Sequence, residues 1–177
     1  MNLLLRLILT LVTARLRGPI RVLDESRLRL CVLPTDLDTN LHMNNGRYLS
    51  IMDLGRVDYV ARVGLLRIMI RNRWMPLVGS ATIRYRRPLQ CFDRFELVTR
   101  TVCWDDKWIF MEQRFERRGE LVAQAYVKVL FKAAGPTLRS REVLKALGQE
   151  QRSPHMPPAI EALRLAEGLS EDKTGRA

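Results

Sequence analysis

Four strand-like runs dominate the middle of the chain. They are MPLVGSATIRYRRP, DRFELVTRTVCW, KWIFMEQRFERRG and ELVAQAYVKVLFK, in that order. The last run is the most regular, and its apolar residues share one face: Leu121, Ala123, Ala125, Val127, Val129 and Phe131. A period of two is typical of a β-strand that buries one face. Because short links join the last three runs, the sequence predicts an antiparallel meander.

A single long helical segment precedes these strands, at residues 45–63. Its apolar residues recur at helical spacing, namely Tyr48, Ile51, Met52, Gly55 and Tyr59. Gly64 then ends the segment. The run ESRLRLCVLP lies ahead of it and predicts a strand with Leu28, Leu30 and Val32 on one face. One helix against a curved antiparallel sheet is an α+β arrangement, which is the fold class that this order predicts.

The N-terminal run MNLLLRLILTLVTARLRG predicts an amphipathic helix. One stripe holds Arg6, Thr10, Thr13 and Arg17, and the opposite stripe holds Leu3, Leu4, Leu7, Ile8 and Leu11. Two interpretations stay open. The helix packs on its own domain or on a second subunit, or it lies on an anionic membrane surface with its arginines at the headgroups. A cleaved signal or an anchor fits less well, because Arg6 interrupts the apolar run and no cleavage site is clear.

The C-terminal part predicts two short helices. The first, SREVLKALG, is capped by Ser140, and the second covers residues 158–165 after the linker RSPHMPP. The tail SEDKTGRA is predicted to be disordered. We therefore divide the chain into an N-terminal helix at 1–18, a central domain at 19–148, and a C-terminal segment at 149–177.

A net charge of +11 and an isoelectric point near 10.4 imply attraction to an anionic partner. The candidates are nucleic acid, a membrane surface and a phosphate-bearing small molecule. The sequence has no glycine-arginine repeats, zinc-ligand spacings or ribonucleoprotein-like aromatic motifs, so we expect no nucleic-acid partner. Its three cysteines are odd in number and form no C-x-x-C pair, which predicts a reduced, cytoplasmic protein, peripheral to a membrane if the N-terminal helix binds one.

The most unusual segment, PTDLDTNLHMNNGRY, places polar residues between the first strand and the long helix. A carboxylate here can act as a general base for water or attack a carbonyl directly. The first amides of a helix are unsatisfied donors at the positive end of its dipole, so they can bind an oxyanion. The alternative is structural, because Asx residues before a helix are commonly turns and caps.

The pattern D-x-D-x-x-x-H-x-N-N-x-x-Y resembles a known family. Its matched residues are Asp36, Asp38, His42, Asn44, Asn45 and Tyr48. With the order of elements over residues 26–132, it resembles the hotdog-fold acyl-CoA thioesterases of the 4-hydroxybenzoyl-CoA thioesterase type, closest to the subgroup named thioesterase superfamily member six-like. The resemblance implies a helix wrapped by the sheet, subunits joined edge to edge, and active sites at the interface. It implies neither a metal nor a redox cofactor, coenzyme A being part of the substrate.

The resemblance also implies roles for individual residues. Asp38 is the base or nucleophile, His42 positions substrate or water, and the amides of Asn45 and Gly46 are oxyanion candidates, together with that of Asn44. The expected substrate is an acyl-CoA or acyl-carrier thioester, and the expected assembly is a homodimer or tetramer. We assign to the substrate side a further set of residues: Asp36, which also holds the loop, Asn44, Tyr48, Arg84, Arg86 and Arg87. The three arginines are candidates for the phosphates of coenzyme A.

Several alternatives stay open. Asp53 and Arg56 predict a local ion pair on the helix, although Asp53 is also a candidate second carboxylate. Glu112 and Glu116 are expected at solvated strand positions. The competing functions are a hotdog dehydratase or hydratase, a non-catalytic acyl- or lipid-binding module, and a membrane-surface adaptor. The acyl group, the carrier and the choice between dimer and tetramer are not predicted.

Overall fold

The chain folds as one curled antiparallel sheet with a long helix packed against it. A computed structural model describes residues 3–174. The helices are α1 (Leu3–Leu16), α2 (Asn45–Arg62), α3 (Leu65–Asn72), α4 (Ser140–Ala146) and α5 (Pro158–Thr174). The strands are β1 (Ser26–Cys31), β2 (Met75–Tyr85), β3 (Arg94–Trp104), β4 (Ile109–Arg117), β5 (Glu120–Lys132) and β6 (Thr137–Leu138). The predicted α+β class is confirmed.

The sheet order is β1-β3-β4-β5-β2, and the short β6 pairs with the end of β5. Strands β3, β4 and β5 form the predicted antiparallel meander. Strand β2 does not join its successor in the chain but pairs with β5, so the connection from β2 to β3 crosses the sheet. As a result, β1 and β2 form the two edges.

Helix α2 buries the apolar stripe that the sequence predicts, and it ends at Val63 and the left-handed Gly64. Gly55 lies where this helix comes closest to the sheet. A Cβ atom there would stand 2.6 Å from Leu97 Cδ2 and 2.7 Å from Thr99 Oγ1, both closer than van der Waals contact allows. A glycine in the middle of the stripe therefore sets the distance between helix and sheet, despite its low helix propensity.

Two local predictions need correction, and one helix was not predicted. The run RIMIRNRW was not predicted as a helix, but residues 65–72 form α3, which buries Leu65 and Met69 one turn apart. Arg139 rather than Ser140 is the N-cap of α4, because the Glu142 side chain accepts a hydrogen bond from its backbone N–H at 2.6 Å. Helix α5 continues to Thr174, through part of the tail predicted to be disordered. Residues 1–2 and 175–177 lie outside the described part of the chain.

The outer face of the sheet carries a charged network at a position expected to be solvated. Glu112 is only 4% exposed, and its carboxylate accepts hydrogen bonds from Arg100 at 2.7 Å, Arg114 at 2.8 Å and Gln124 at 2.6 Å. Burial opposes its ionisation, but the Gln124 amide and the two guanidinium groups outweigh burial, so the pKa of Glu112 is lowered.

From this network we derive how the free energy of unfolding depends on pH. A carboxylate whose folded pKa lies below its unfolded value of 4.5 stabilises the fold above that pH and loses its contribution as the pH falls through the folded pKa. We expect Glu112→Gln to reduce the loss of unfolding free energy between about pH 5 and about pH 3, measured by urea denaturation. Glu150→Gln, at an exposed position, is the control. An unchanged acid profile for Glu112→Gln contradicts the role of the network.

The exposed edge of β2 leads us to expect that copies of the chain form an oligomer. Strand β2 is exposed along most of its 11 residues and pairs only with β5 in the described subunit. Native proteins cover such long edges, so we expect a homodimer or a dimer of dimers by light scattering. Val78→Lys, at a half-exposed edge position, should shift the mass toward the monomer, whereas Leu23→Lys, on an exposed loop, should not. A monomeric parent protein contradicts this prediction.

Candidate active site

Asp36 is the buried centre of the polar segment. Its carboxylate, 2% exposed, accepts a hydrogen bond from Arg6 Nη2 at 2.6 Å and lies 3.0 Å from Arg47 Nε. It also accepts the backbone N–H of Leu33 at 2.9 Å, and its carbonyl accepts that of Asn44. One side chain thereby holds α1, the start of α2 and the intervening loop together.

Asp38 lies two residues further on in a different environment. Its Oδ1 accepts the backbone N–H groups of Asn40 at 2.8 Å and His42 at 3.3 Å. Its own backbone N–H donates to the His42 carbonyl at 2.8 Å, which closes a tight loop. The side chain is half-buried, and Oδ2 has no hydrogen-bond partner among residues 3–168. The carboxylate is therefore fixed through one oxygen and open at the other.

His42 contributes to this loop through its backbone. Besides its two bonds with Asp38, it forms an isolated antiparallel bridge with Gln90. Leu41, just before it, adopts a φ of 58°, which turns the chain sharply. The imidazole is half-buried and makes no side-chain hydrogen bond within the described residues. Its predicted role in positioning substrate or water stays a prediction.

The start of α2 supplies backbone donors. Asn44 is the N-cap, and its Oδ1 accepts the Gly46 N–H at 2.9 Å, while its carbonyl accepts the Arg47 N–H. The N–H of Asn45 has no partner in the described part of the chain. Of the amides predicted as oxyanion donors, those of Asn44 and Gly46 are therefore occupied and that of Asn45 is open.

Tyr85, at the end of β2, was missed by the sequence analysis. Its hydroxyl donates to the Asn45 carbonyl at 3.0 Å, and its ring meets that of Tyr48 edge-on at 5.1 Å. Tyr48, predicted to contact substrate, is 2% exposed and packs also against Phe115. Burial raises the pKa of Tyr48 to about 12, so its phenol stays protonated at neutral pH. Its contact with substrate stays a prediction.

The predicted phosphate-binding arginines lie beside Tyr85. Arg84, Arg86 and Arg87 are all exposed. The backbone N–H groups of Arg86 and Arg87 both donate to the Val122 carbonyl, at 2.8 and 3.2 Å, and the Arg87 side chain pairs with Glu120. Since Tyr85 is bonded to the first residue of α2, this basic group is held at the same end of the helix as Asp38.

The N-terminal helix contributes to the site from its polar side. Arg6, Thr10 and Ala14 of α1 are buried, and the Arg17 guanidinium pairs with the fully buried Asp58 of α2. Asp58 was not singled out from the sequence, because it interrupts an otherwise apolar stripe. The hypothesis that the arginines of this helix reach lipid headgroups is therefore wrong for Arg6 and Arg17, which bind carboxylates of the domain.

Residues 32–163 match the family described as the thioesterase-like superfamily, which is well over half of the chain. The chain belongs to this superfamily. Protein THEM6 of Xenopus laevis is 41% identical over 108 residues, which are 60% of this chain and 52% of that protein. The chain thus spans about half the length of that relative. The resemblance predicted from the polar segment is confirmed.

Solved structures support the same fold. The probable thioesterase YbaW from Escherichia coli has a TM-score of 0.64 at 21% identity, covering 70% of this chain and 96% of its own. A 1,4-dihydroxy-2-naphthoyl-CoA thioesterase from Synechocystis has a TM-score of 0.61 at 12% identity, covering 70% of this chain and 95% of its own. At these identities the likeness concerns the fold alone, and it confirms the predicted hotdog architecture.

The described part of the chain contains neither a metal-ligand cluster nor a helix that could cross a membrane. Among the side chains of residues 3–168, no group of three or more His, Cys, Asp or Glu is arranged to hold a metal ion. Over the same residues, no helix has both the length and the apolar character needed to cross a bilayer. The absence of a metal and of a cofactor stays a prediction.

The Arg6–Asp36 pair gives a prediction about stability. Arg6 and Asp36 are 4% and 2% exposed, and removing one partner leaves a buried charge with less compensation. We expect Arg6→Met to lower the free energy of unfolding by about 3 kcal/mol in urea denaturation. Arg15→Met is the matched control, since Arg15 is exposed on the same helix. Equal effects of the two substitutions would show that the buried ion pair contributes no more to the free energy of unfolding than an exposed arginine of the same helix.

Proposed function

We propose that this protein hydrolyses acyl thioesters, of coenzyme A or of an acyl carrier, to the free acid and the thiol. The observation that carries the proposal is the presence of two open groups, one in the loop before α2 and one at the first residue of α2. Asp38 keeps one carboxylate oxygen open while backbone N–H groups hold the other, and the Asn45 N–H is a donor without a partner among the described residues. A base and an oxyanion donor are what thioester hydrolysis requires.

In the proposed reaction, Asp38 Oδ2 accepts a proton from water as the water oxygen attacks the thioester carbonyl. The tetrahedral intermediate carries its negative charge on the former carbonyl oxygen. When the intermediate collapses, the carbon–sulfur bond breaks, and the thiolate takes up the proton. Direct attack by Asp38 is the variant of this route: it forms an anhydride that water then cleaves. Both routes give the same products.

The Asn45 N–H supports the step in which charge develops. It is the first amide of an 18-residue helix, where partial positive charge collects and intrahelical partners are lacking. The Tyr85 hydroxyl bonds the carbonyl of the same residue at 3.0 Å, which holds the peptide in place. A donor fixed before the reaction costs no reorganisation when the oxyanion forms.

The basic end of β2 supports a phosphate-bearing substrate. Arg84 and Arg86 are exposed and flank Tyr85, and no ion pair within the described residues uses their guanidinium groups. Forked arginine donors suit phosphate oxygens, and the net charge of +11 favours anionic substrates in general. The Synechocystis relative, named for a CoA thioester, is consistent with this substrate class.

A non-catalytic acyl- or lipid-binding role is the second candidate. It is favoured by the two N–H groups on Asp38 Oδ1, because a carboxylate used in this way is also a plain Asx turn. The two candidates differ in turnover: only hydrolysis releases a free thiol from an acyl-CoA. For the remaining properties we propose a cytoplasmic homo-oligomer that uses no metal or redox cofactor.

Asp38→Asn tests the catalytic assignment. Asparagine keeps the shape of the side chain and its acceptor oxygen for the two N–H groups, but it cannot take a proton from water. We expect normal folding and a loss in turnover on the order of 10²-fold or more, the usual scale for a positioned general base. Free-thiol release from a panel of acyl-CoAs and thermal melting are measured together. Asp24→Asn is the control, since Asp24 is also half-buried in a loop and accepts a backbone N–H, from Arg21.

Two further variants distinguish a catalytic residue from residues that hold the loop in place. Asp36→Asn should lower the melting temperature more than Asp38→Asn and turnover less, because Asp36 is the buried partner of Arg6 and Arg47. His42→Ala should fall between the two in turnover. If folded Asp38→Asn keeps near-normal activity, the segment is a helix cap and the assignment fails. If the parent protein releases no thiol from any member of the panel, the binding role is favoured.

A further inference from the structure

The buried side of helix α1 carries polar residues, with Leu3 and Leu7 packed against the core beside them, and the outward side is apolar. Its buried residues are Arg6, Thr10 and Ala14. Its outward stripe is apolar over three turns and consists of Leu5, 48% exposed, Ile8, 50%, Leu9, 48%, Val12, 52%, and Leu16, 81%. These positions follow helical spacing, so they form one continuous surface. We call these five residues the α1 face.

The α1 face cannot turn inward without breaking two buried ion pairs. Arg6 binds Asp36 near one end of the helix, and Arg17, just past the other end, binds Asp58. Both acceptors are at most 2% exposed, and separating either pair would leave a charge buried without its partner. The outward direction of the α1 face is therefore fixed by the domain, and this surface is larger than scattered apolar exposure explains.

Exposed arginines border the α1 face. A groove of about 780 Å³ runs between α1 and β1, and its lining includes Leu9 and Thr13 together with Arg29, Arg94 and Arg118. The Arg29 side chain is 89% exposed. Glu96 and Glu116 also line the groove, but Arg27 bonds both of them and Arg29 bonds Glu96, so the groove keeps an excess of positive charge.

We infer that the α1 face docks on an anionic lipid bilayer. The helix is about 21 Å long at a rise of about 1.5 Å per residue, and it would lie in the plane of the membrane. The apolar stripe enters the boundary between headgroups and acyl chains, and the groove arginines meet anionic headgroups. These arginines differ from Arg6 and Arg17, which stay bound to the domain.

Charge favours a membrane over a second copy of the chain on this face. Two copies joined through α1 would bring two sets of groove arginines together, on molecules that each carry a net charge of +11. An anionic surface is complementary to the same groups and attracts each basic residue that lies near it. Docking does not depend on the proposed hydrolysis, and its test does not use turnover.

Ile8→Asp and Leu165→Asp form a matched pair. Each replaces an exposed helical aliphatic residue with the same charge, but Ile8 lies on the α1 face and Leu165 lies on α5, which bonds β2 and β5 at the other side of the sheet. The full chain is sedimented with vesicles of phosphatidylcholine and phosphatidylglycerol, and with vesicles of phosphatidylcholine alone. Circular dichroism and melting check the fold, and Val12→Asp repeats the test one turn along.

The parent protein should bind the anionic vesicles, bind the neutral ones far less, and lose binding as salt is added. Leu165→Asp should bind as the parent does, whereas Ile8→Asp should bind on the order of 100-fold more weakly. That substitution removes an aliphatic side chain that docking would bury and adds a charge that the anionic surface repels. The inference is overturned if the parent does not sediment with anionic vesicles, or if the two variants bind equally. A third outcome also overturns the inference: the parent does not bind vesicles, and Ile8→Asp has a lower molar mass than the parent in light scattering. The α1 face would then bind a second copy of the chain.

Discussion

The buried carboxylate of Asp36 is the constraint on which the site depends. A charge at 2% exposure is tolerated only when it is paired, and here Arg6 and Arg47 pair it from two different helices. The same residue bonds Leu33 through its side chain and Asn44 through its carbonyl. Because these contacts must be satisfied together, the loop that carries Asp38 has little freedom relative to the helix start that carries the Asn45 amide.

Two aspartates two residues apart therefore have opposite environments. Asp36 is buried and paired with two cations, whereas Asp38 is half-buried, held by backbone N–H groups at one oxygen and open at the other. Both oxygens of Asp36 are occupied by guanidinium groups, whereas Asp38 keeps one oxygen that a water molecule can reach. We therefore assign the structural role to Asp36 and the role of base to Asp38 from their surroundings, since the residue type is the same.

Periodicity predicted the elements whose buried face is apolar and failed where the buried face is polar. The stripe of α2 and most of the inner face of β5 were predicted, because a core of this kind repeats at the period of the element. At the start of β5 the prediction is wrong: Val122 rather than Leu121 lies in the core, where the register with β4 shifts. Arg6 was placed on the polar stripe of the N-terminal helix, Asp58 was not singled out, and Glu112 was expected to be solvated, yet all three are buried. Their partners lie 30, 41 and 12 residues away, and nothing local in the sequence marks such pairs.

The ion pairs that expose the apolar stripe of α1 also attach that helix to the candidate active site. Removing residues 1–18 would take Arg6 from Asp36 and Arg17 from Asp58, so a truncated chain would lose the support of the polar loop along with the stripe. A loss of hydrolysis after truncation would therefore not separate a membrane role from a structural one. Substitutions on the outward stripe leave both ion pairs in place, because the stripe and the arginines lie on opposite sides of one helix.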